Sequence, residues 1–265
     1  MQANGNTPRL AVCWPWGNPM VYTKFMESLL EMEHPAGYQV KFVRGGGWCN
    51  ARRRINSCEI AIASGAKYLV MLDADQTYPK DILLKFVKHM EEGKDMVAAM
   101  VPQRGYRAGT GMKPFQRLAW KSNDNETTIP VLPEDGDVQP CIMPTCAALI
   151  CRSKDLSRLS QPWFRDQFNP ETMEREFAED LYFTMHIQKE LGLQAWVDTT
   201  IEVKHLHLFS IDGTFVDRFE DWAEQGKGDP EICTYKPRTK KFIRKSGIAA
   251  APGLLHGVGA MAWHR

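Results

Sequence analysis

No apolar run in this 265-residue chain approaches the roughly 20 residues that a membrane span needs, so no span is expected. There is no CxxC pair, and the seven cysteines (13, 49, 58, 141, 146, 151 and 233) are odd in number. Neither a zinc ribbon nor a disulfide framework is indicated. Charge of one sign is not in excess either. Lys and Arg total 33 against 32 for Asp and Glu, a net charge of +1, which argues against a chain built mainly to hold nucleic acid. The opening residues MQANGNTPRL lack the apolar core of a signal peptide. With the unpaired cysteines, this sets the expectation of a reducing, cytoplasmic setting. The glycines at 45 to 47 follow a strand pattern without GxGxxG spacing, which leaves dehydrogenase chemistry unsupported. No internal repeat is present.

What is present is an ordinary globular composition, 43% apolar and 25% charged, with length enough for a substantial core. The first 100 residues alternate strand and helix patterns, the signature of a parallel sheet with covering helices. RLAVCW, YQVKFV, KYLVML and DMVAAMV read as four strands. Helices are expected from about Met20 to Met32, from Asn50 with a stripe of Ala51, Ile55, Cys58 and Ile62, and after Pro79 with Leu83, Phe86, Val87 and Met90. From Pro102 to Pro140 no apolar period survives, and a structureless functional loop is expected there. CIMPTCAALICR then reads as a strand, residues 174 to 191 as a helix with Phe177, Leu181, Met185 and Gln188 on one side, and QAWVDTTIEVKHLHLF as a last strand pair. Cys13, Cys141, Cys146 and Cys151 fall in strand-like segments, where cysteine behaves as a small apolar residue.

The segment KYLVMLDADQTYPKDIL carries the clearest chemistry. Asp73 and Asp75 close a fully apolar strand, and two such carboxylates are costly unless something positive neutralises them. In open sheets of this kind ligands bind beyond the carboxyl ends of the strands. Oxygen ligands at i and i+2 there suit Mg²⁺ or Mn²⁺ carried in with a phosphate, and a plain turn is the competing reading. A third ligand would lock the metal. VKHLH offers His205 and His207 on one face of a strand, where ordinary hydrogen bonds are the alternative.

These segments resemble the GT-A glycosyltransferases, family-2-like members in particular. The likeness rests on the D-x-D strand with its basic helix, NARRRINSCEIAIASGAKYLVMLDADQTYPKDIL; on PTCAALICRSKDLSRLSQPWF; and on EFAEDLYFTMHIQKELGLQAWVDTTIEVKHLH. It implies an α/β fold of GT-A type: a Rossmann-like, mostly parallel central sheet flanked by helices, with a smaller acceptor-side sheet. It implies a catalytic domain over 1–210, divided into a nucleotide-sugar half at about 9–101, a flexible loop at 102–140 and an acceptor half at about 141–210. Residues 211–265 would form a C-terminal extension, a candidate lid. The implied activity is metal-dependent transfer of a hexose-like sugar from a nucleotide diphosphate sugar to an acceptor hydroxyl. UDP is the first choice of nucleotide and GDP the second. Asp73 and Asp75 would hold Mn²⁺ or Mg²⁺ against the diphosphate, and the family's spacing favours His205 over His207 as third ligand. Glu179 and Asp180 would stand at the head of the acidic helix, with Asp180 as base in an inverting reaction and Glu179 orienting the acceptor. Arg52 matches the family's nucleotide-side arginine best, and Trp14 is a candidate to stack on the base or to join the core.

Two basic stretches, 102–121 and 236–245, suit an acceptor-binding loop and a lid over the diphosphate. With their aromatics they keep open an acceptor such as DNA with hydroxymethylated bases, beside a glycan or a protein. A nucleotidyltransferase would use a similar acid pair, but CWPWGNP is not the basic, Gly-rich loop that it needs. An inactive binding module of the same fold is the remaining alternative, and the set Asp73, Asp75, Asp180 and His205 argues against it.

Overall fold

The computed structural model describes residues 7–15, 17, 20–102, 118–122 and 128–206, all within one compact unit of residues 1–207. The order begins β1 (Arg9–Pro15), α1 (Thr23–Leu30), β2 (Gln39–Gly45), α2 (Asn50–Ala63), β3 (Ala66–Leu72). A short β4 (Gln76–Thr77) precedes α3 (Ile82–Glu91) and β5 (Met96–Met100). There follow the antiparallel pair β6 (Trp120–Ser122) and β7 (Thr128–Pro130), then β8 (Val138–Cys141), β9 (Ala148–Arg152) and α4 (Ser153–Leu156). A second antiparallel pair, β10 (Gln167–Phe168) and β11 (Arg175–Phe177), leads into α5 (Glu179–Leu191), β12 (Ala195–Glu202) and β13 (Lys204–His205).

The central sheet has seven strands in the order β2-β1-β3-β9-β5-β12-β8. β2, β1, β3, β5 and β12 run one way, while β9 and β8 oppose their neighbours. Strands buried on both faces read as continuous apolar runs, and alternation divides each run between two cores. Leu10, Val12, Tyr68, Val70 and Leu72 join the core that includes Phe25 of α1 and Phe86 of α3. Ala11, Cys13, Leu69 and Met71 join the other, with Cys58 of α2, Leu156 of α4 and Phe183 of α5. The parity matters for the site. Asp73 continues the face of Leu69 and Met71, toward α2 and α5.

The mostly parallel sheet, its flanking helices and the smaller sheets are as the sequence suggests. Three segments differ. The supposedly structureless stretch 102–140 contributes β8, an edge strand of the main sheet, where Pro140 is tolerated because edges need fewer amide donors. CIMPTCAALICR is not one strand: β8 ends at Cys141, a turn intervenes, and β9 starts at Ala148. The acidic helix starts at Glu179 rather than near 174, because Arg175–Phe177 is extended and pairs with β10. Its buried face is therefore Glu179, Phe183, Thr184 and Ile187, not the expected stripe through Leu181 and Met185. Residues 103–117 and 207–265 lie outside the described residues, and with them His207, most of the first basic stretch and all of the second. Among the described residues, no helix is long and apolar enough to cross a membrane.

At the end of β2 the backbone presses against α2. A Cβ built on Gly45 would stand 1.9 Å from the Arg53 carbonyl oxygen and 3.0 Å from the Ser57 Cβ. Gly45→Ala should therefore destabilise the fold by about 1–3 kcal/mol, seen as a lower urea midpoint at unchanged slope. An unchanged midpoint would show that the contact is soft.

Candidate active site

The positive partner that the acids require is Arg54. In α2 it stands on the stripe of Ala51, Cys58 and Ala61, so helical geometry turns its guanidinium inward, beneath the end of β3. It is 4% exposed. Its Nη2 donates to Asp73 Oδ1 at 2.8 Å, and its Nε donates to Glu179 Oε1 at 3.3 Å. Burial works against the charge on Arg54, but Asp73 and Glu179 outweigh it and hold the guanidinium protonated. Burial raises the Asp73 carboxyl above the usual carboxylate range. Asp75 and Asp180 push it the same way, against the pull of Arg54. Arg54 thus binds two carboxylates and feels that of Asp180, while Asp75 acts on Asp73, so carboxylates outnumber this one guanidinium.

Asp75 meets His205 through a two-stranded ribbon. β13 pairs antiparallel with β4, placing His205 opposite Gln76, and the Leu206 amide donates to the Asp75 carbonyl at 2.8 Å. His205 Nε2 lies 3.3 Å from Asp75 Oδ2. His205 Nδ1 faces the Pro102 carbonyl at 2.9 Å, and a carbonyl only accepts, so Nδ1 carries hydrogen and Nε2 is the atom turned to Asp75. Carboxylate oxygens and an imidazole nitrogen are donor types that Mg²⁺ and Mn²⁺ accept, and of these residues the structure brings Asp75 and His205 into direct contact. Among the described residues no three His, Cys, Asp or Glu stand as a ready-made cage.

The turn around Asp73 is itself braced. The Asp73 amide donates to the Ala147 carbonyl at 2.9 Å. The Tyr78 hydroxyl lies within hydrogen-bond distance of the Asp73 carbonyl (2.7 Å), the Ala147 carbonyl (3.0 Å) and Gln76 Oε1 (3.1 Å). Burial, then Asp73 and Asp75, push the Tyr78 phenol well up, so it remains a donor. Asp180, one residue into α5, accepts from the Thr145 hydroxyl at 2.6 Å and from the Leu181 amide at 2.9 Å.

A cavity of about 270 Å³ opens beside the acids, walled by Pro15 at the end of β1, Gly17 beyond it, Tyr22, Arg53 at the start of α2, Asp73 and Asp75. Arg53 is held by the Gly47 carbonyl and Asn50 Oδ1, each at 2.9 Å. Two sequence expectations move here. Arg52 does not line this cavity: it points outward and pairs with Glu59 at 3.4 Å, because one helical step from Arg53 rotates it about 100° away. Trp14 packs edge-on against Phe25 and near Phe42, and Tyr22 is the aromatic ring on the cavity wall. Of the three arginines on this turn of α2 the spacing favours Arg52 over Arg54, and nothing in the sequence singles out Tyr78 or Thr145. Arg54 had a signal, a charge on the apolar stripe of α2.

The family model described as glycosyl transferase family 2 matches residues 29–153, from the end of α1 to the start of α4. The span includes Arg54, Asp73, Asp75 and Thr145, and leaves out α5 and His205. Among solved structures the chain is similar to A197 from STIV, at 13% identity and a TM-score of 0.51, covering 76% of this chain and 86% of that one. It is also similar to S. aureus TarS 1–349, at 14% identity and a TM-score of 0.39, covering 72% of this chain and 60% of that one. The first likeness is one of fold. A search of curated proteins finds no match.

Removing the buried cation should cost more than removing a surface charge. Arg54→Met leaves Asp73 and Glu179 facing each other without compensation and should destabilise the fold by about 3–5 kcal/mol in urea denaturation. Arg54→Lys should recover only part of that, since an ammonium lacks the fork that reaches both carboxylates. A methionine variant as stable as the parent would contradict this reading of the cluster.

Proposed function

We propose that this chain is a family-2-like glycosyltransferase of the GT-A fold that moves a sugar from a nucleotide diphosphate sugar, a UDP-sugar first, to an acceptor hydroxyl with inversion; the match of residues 29–153 to the glycosyl transferase family 2 model supports the reading. The observation that carries the reading is the Arg54 bridge. It joins Asp73, on the wall of the cavity, to Glu179, the neighbour of Asp180, within one charge cluster. Donor-side and acceptor-side acids therefore sit within reach of one substrate pair.

In this reading the nucleotide occupies the cavity beside Tyr22, with Arg53 offering its charge to the diphosphate. Asp73, Asp75 and His205 would hold Mn²⁺ or Mg²⁺. The cation, when bound, would act as a Lewis acid on the departing diphosphate. Asp180 takes the proton of the acceptor hydroxyl as the oxygen attacks the anomeric carbon from the side opposite the leaving group. The new glycosidic bond forms as the bond to the diphosphate breaks, the electron pair leaves with the nucleotide, and the proton stays on Asp180. Glu179 is 7% exposed and bound to Arg54, so it serves the geometry of the cluster rather than meeting the acceptor. The acceptor is a hydroxyl compound: a glycan, a protein or modified DNA.

Asp75→Ala should reduce release of nucleoside diphosphate from a panel of UDP- and GDP-sugars to background, with an unchanged far-UV spectrum. Asp180→Asn should keep donor binding and lose about 10²–10⁴-fold in transfer. If both variants turn over like the parent, the mechanism is wrong.

A further inference from the structure

β9 runs against its neighbours, so its beginning lies at the carboxyl edge of the parallel strands, where the acids are. The residues just before it, Thr145 to Ala147, connect both sides of the site. On one side the Ala147 carbonyl accepts from the Asp73 amide and lies 3.0 Å from the Tyr78 hydroxyl. On the other, Thr145 Oγ1 donates to Asp180 Oδ2 at 2.6 Å, and Cys146 Sγ lies 3.4 Å from the Asp180 carbonyl. The Thr145 hydroxyl has no rotational choice left. The Ala147 amide donates into it at 3.2 Å, so its single proton points at Asp180. Thr145 is 2% exposed, and solvent does not compete for that bond.

We propose that Thr145 is a positioning residue for the reaction, setting the rotamer of Asp180 and its distance from the donor-side acids through the Thr145–Ala147 strap. This rests on the reading of Asp180 as the base. Its physical ground is that a base must sit within hydrogen-bond reach of the hydroxyl it deprotonates, and that misplacement by about 1 Å costs on the order of 10²-fold. Asp180 has two carboxylate oxygens. Oδ1 takes the Leu181 amide at the helix start and Oδ2 takes Thr145, which together fix the plane of the group while its remaining lone pairs stay available. Without the hydroxyl, only the contact with its own helix would hold the carboxylate.

The test is a graded series at Thr145 in the full chain, with nucleoside diphosphate release followed from UDP-glucose, UDP-galactose, UDP-N-acetylglucosamine and GDP-mannose, well below each variant's melting temperature. Thr145→Ser keeps donor and acceptor and should behave as the parent. Thr145→Cys, a weak donor, should fall between, and Thr145→Val should lose about 10- to 100-fold in kcat with donor KM unchanged. Val also strips the acceptor from the Ala147 amide, so its urea midpoint is measured, and the Cys variant carries the test if Val does not fold. In the background of Asp180→Asn the Val substitution should add no further loss, because Thr145 acts only through Asp180. Asp180→Asn inactive with Thr145→Val and Thr145→Cys both at parental kcat would overturn the positioning role alone. A Val substitution that costs as much in the Asn background as in the parent would overturn it too. A parent chain that turns over none of the four donors, or an Asp180→Asn variant as active as the parent, would overturn the reading on which it rests.

Discussion

A guanidinium buried between two carboxylates is the constraint on which the site depends. Arg54 cannot be left without partners at that depth, and neither can the acids it serves. Its two ion pairs tie the start of α2 to the end of β3 and to the head of α5. α5 is distant in sequence from the other two, and one planar fork fixes the spacing of all three. α5 cannot be seated on the sheet without also bringing Glu179 and Asp180 toward Asp73. Arginine suits the task because its donors diverge in a rigid plane and its charge survives burial. The remaining negative charge has a consequence for binding. On the proposed function, a site with more carboxylate than cation would favour a divalent metal and repel a bare diphosphate, so donor and metal should bind together.

The second organising feature is the reversed strand β9, threaded between β3 and β5. In a purely parallel sheet every connection into a strand would lie at the far edge. Reversal delivers the entry to β9 to the functional edge, where Ala147 braces the Asp73 turn and Thr145 meets Asp180. The ribbon of β4 and β13 does comparable work for His205. The described donor-side and acid groups are thus held by backbone pairing or buried hydrogen bonds, as a site needing sub-ångström placement requires.

Much of the fold was legible in the residues. Continuous apolar runs at 9–15, 66–72 and 96–100 declared buried strands, and the stripe of Leu83, Phe86, Val87 and Met90 declared α3. The acid pair was legible because Asp73 and Asp75 follow directly on a buried apolar strand. His205 was legible only as one of two histidines, and its position depends on pairing with β4, which local pattern does not encode. β8 was hidden because a four-residue edge strand containing proline has no usable period. The face of α5 was misread because the acidic run before Glu179 is extended, which shifts the helical phase. Arg52 was preferred to its neighbours on spacing alone, whereas helical rotation, counted from the buried stripe, selects Arg54 for the acids and Arg53 for the cavity.

The most direct test of the donor site is thermal stabilisation of the chain by UDP and by GDP, each with Mn²⁺ and with EDTA, repeated with Asp75→Ala. The expected result is an upward shift with one nucleotide, present with Mn²⁺, absent with EDTA and absent in the variant. A parent chain that shows no metal-linked shift with either nucleotide would contradict the reading of Asp73, Asp75 and His205 as a site for a metal-bound nucleotide diphosphate.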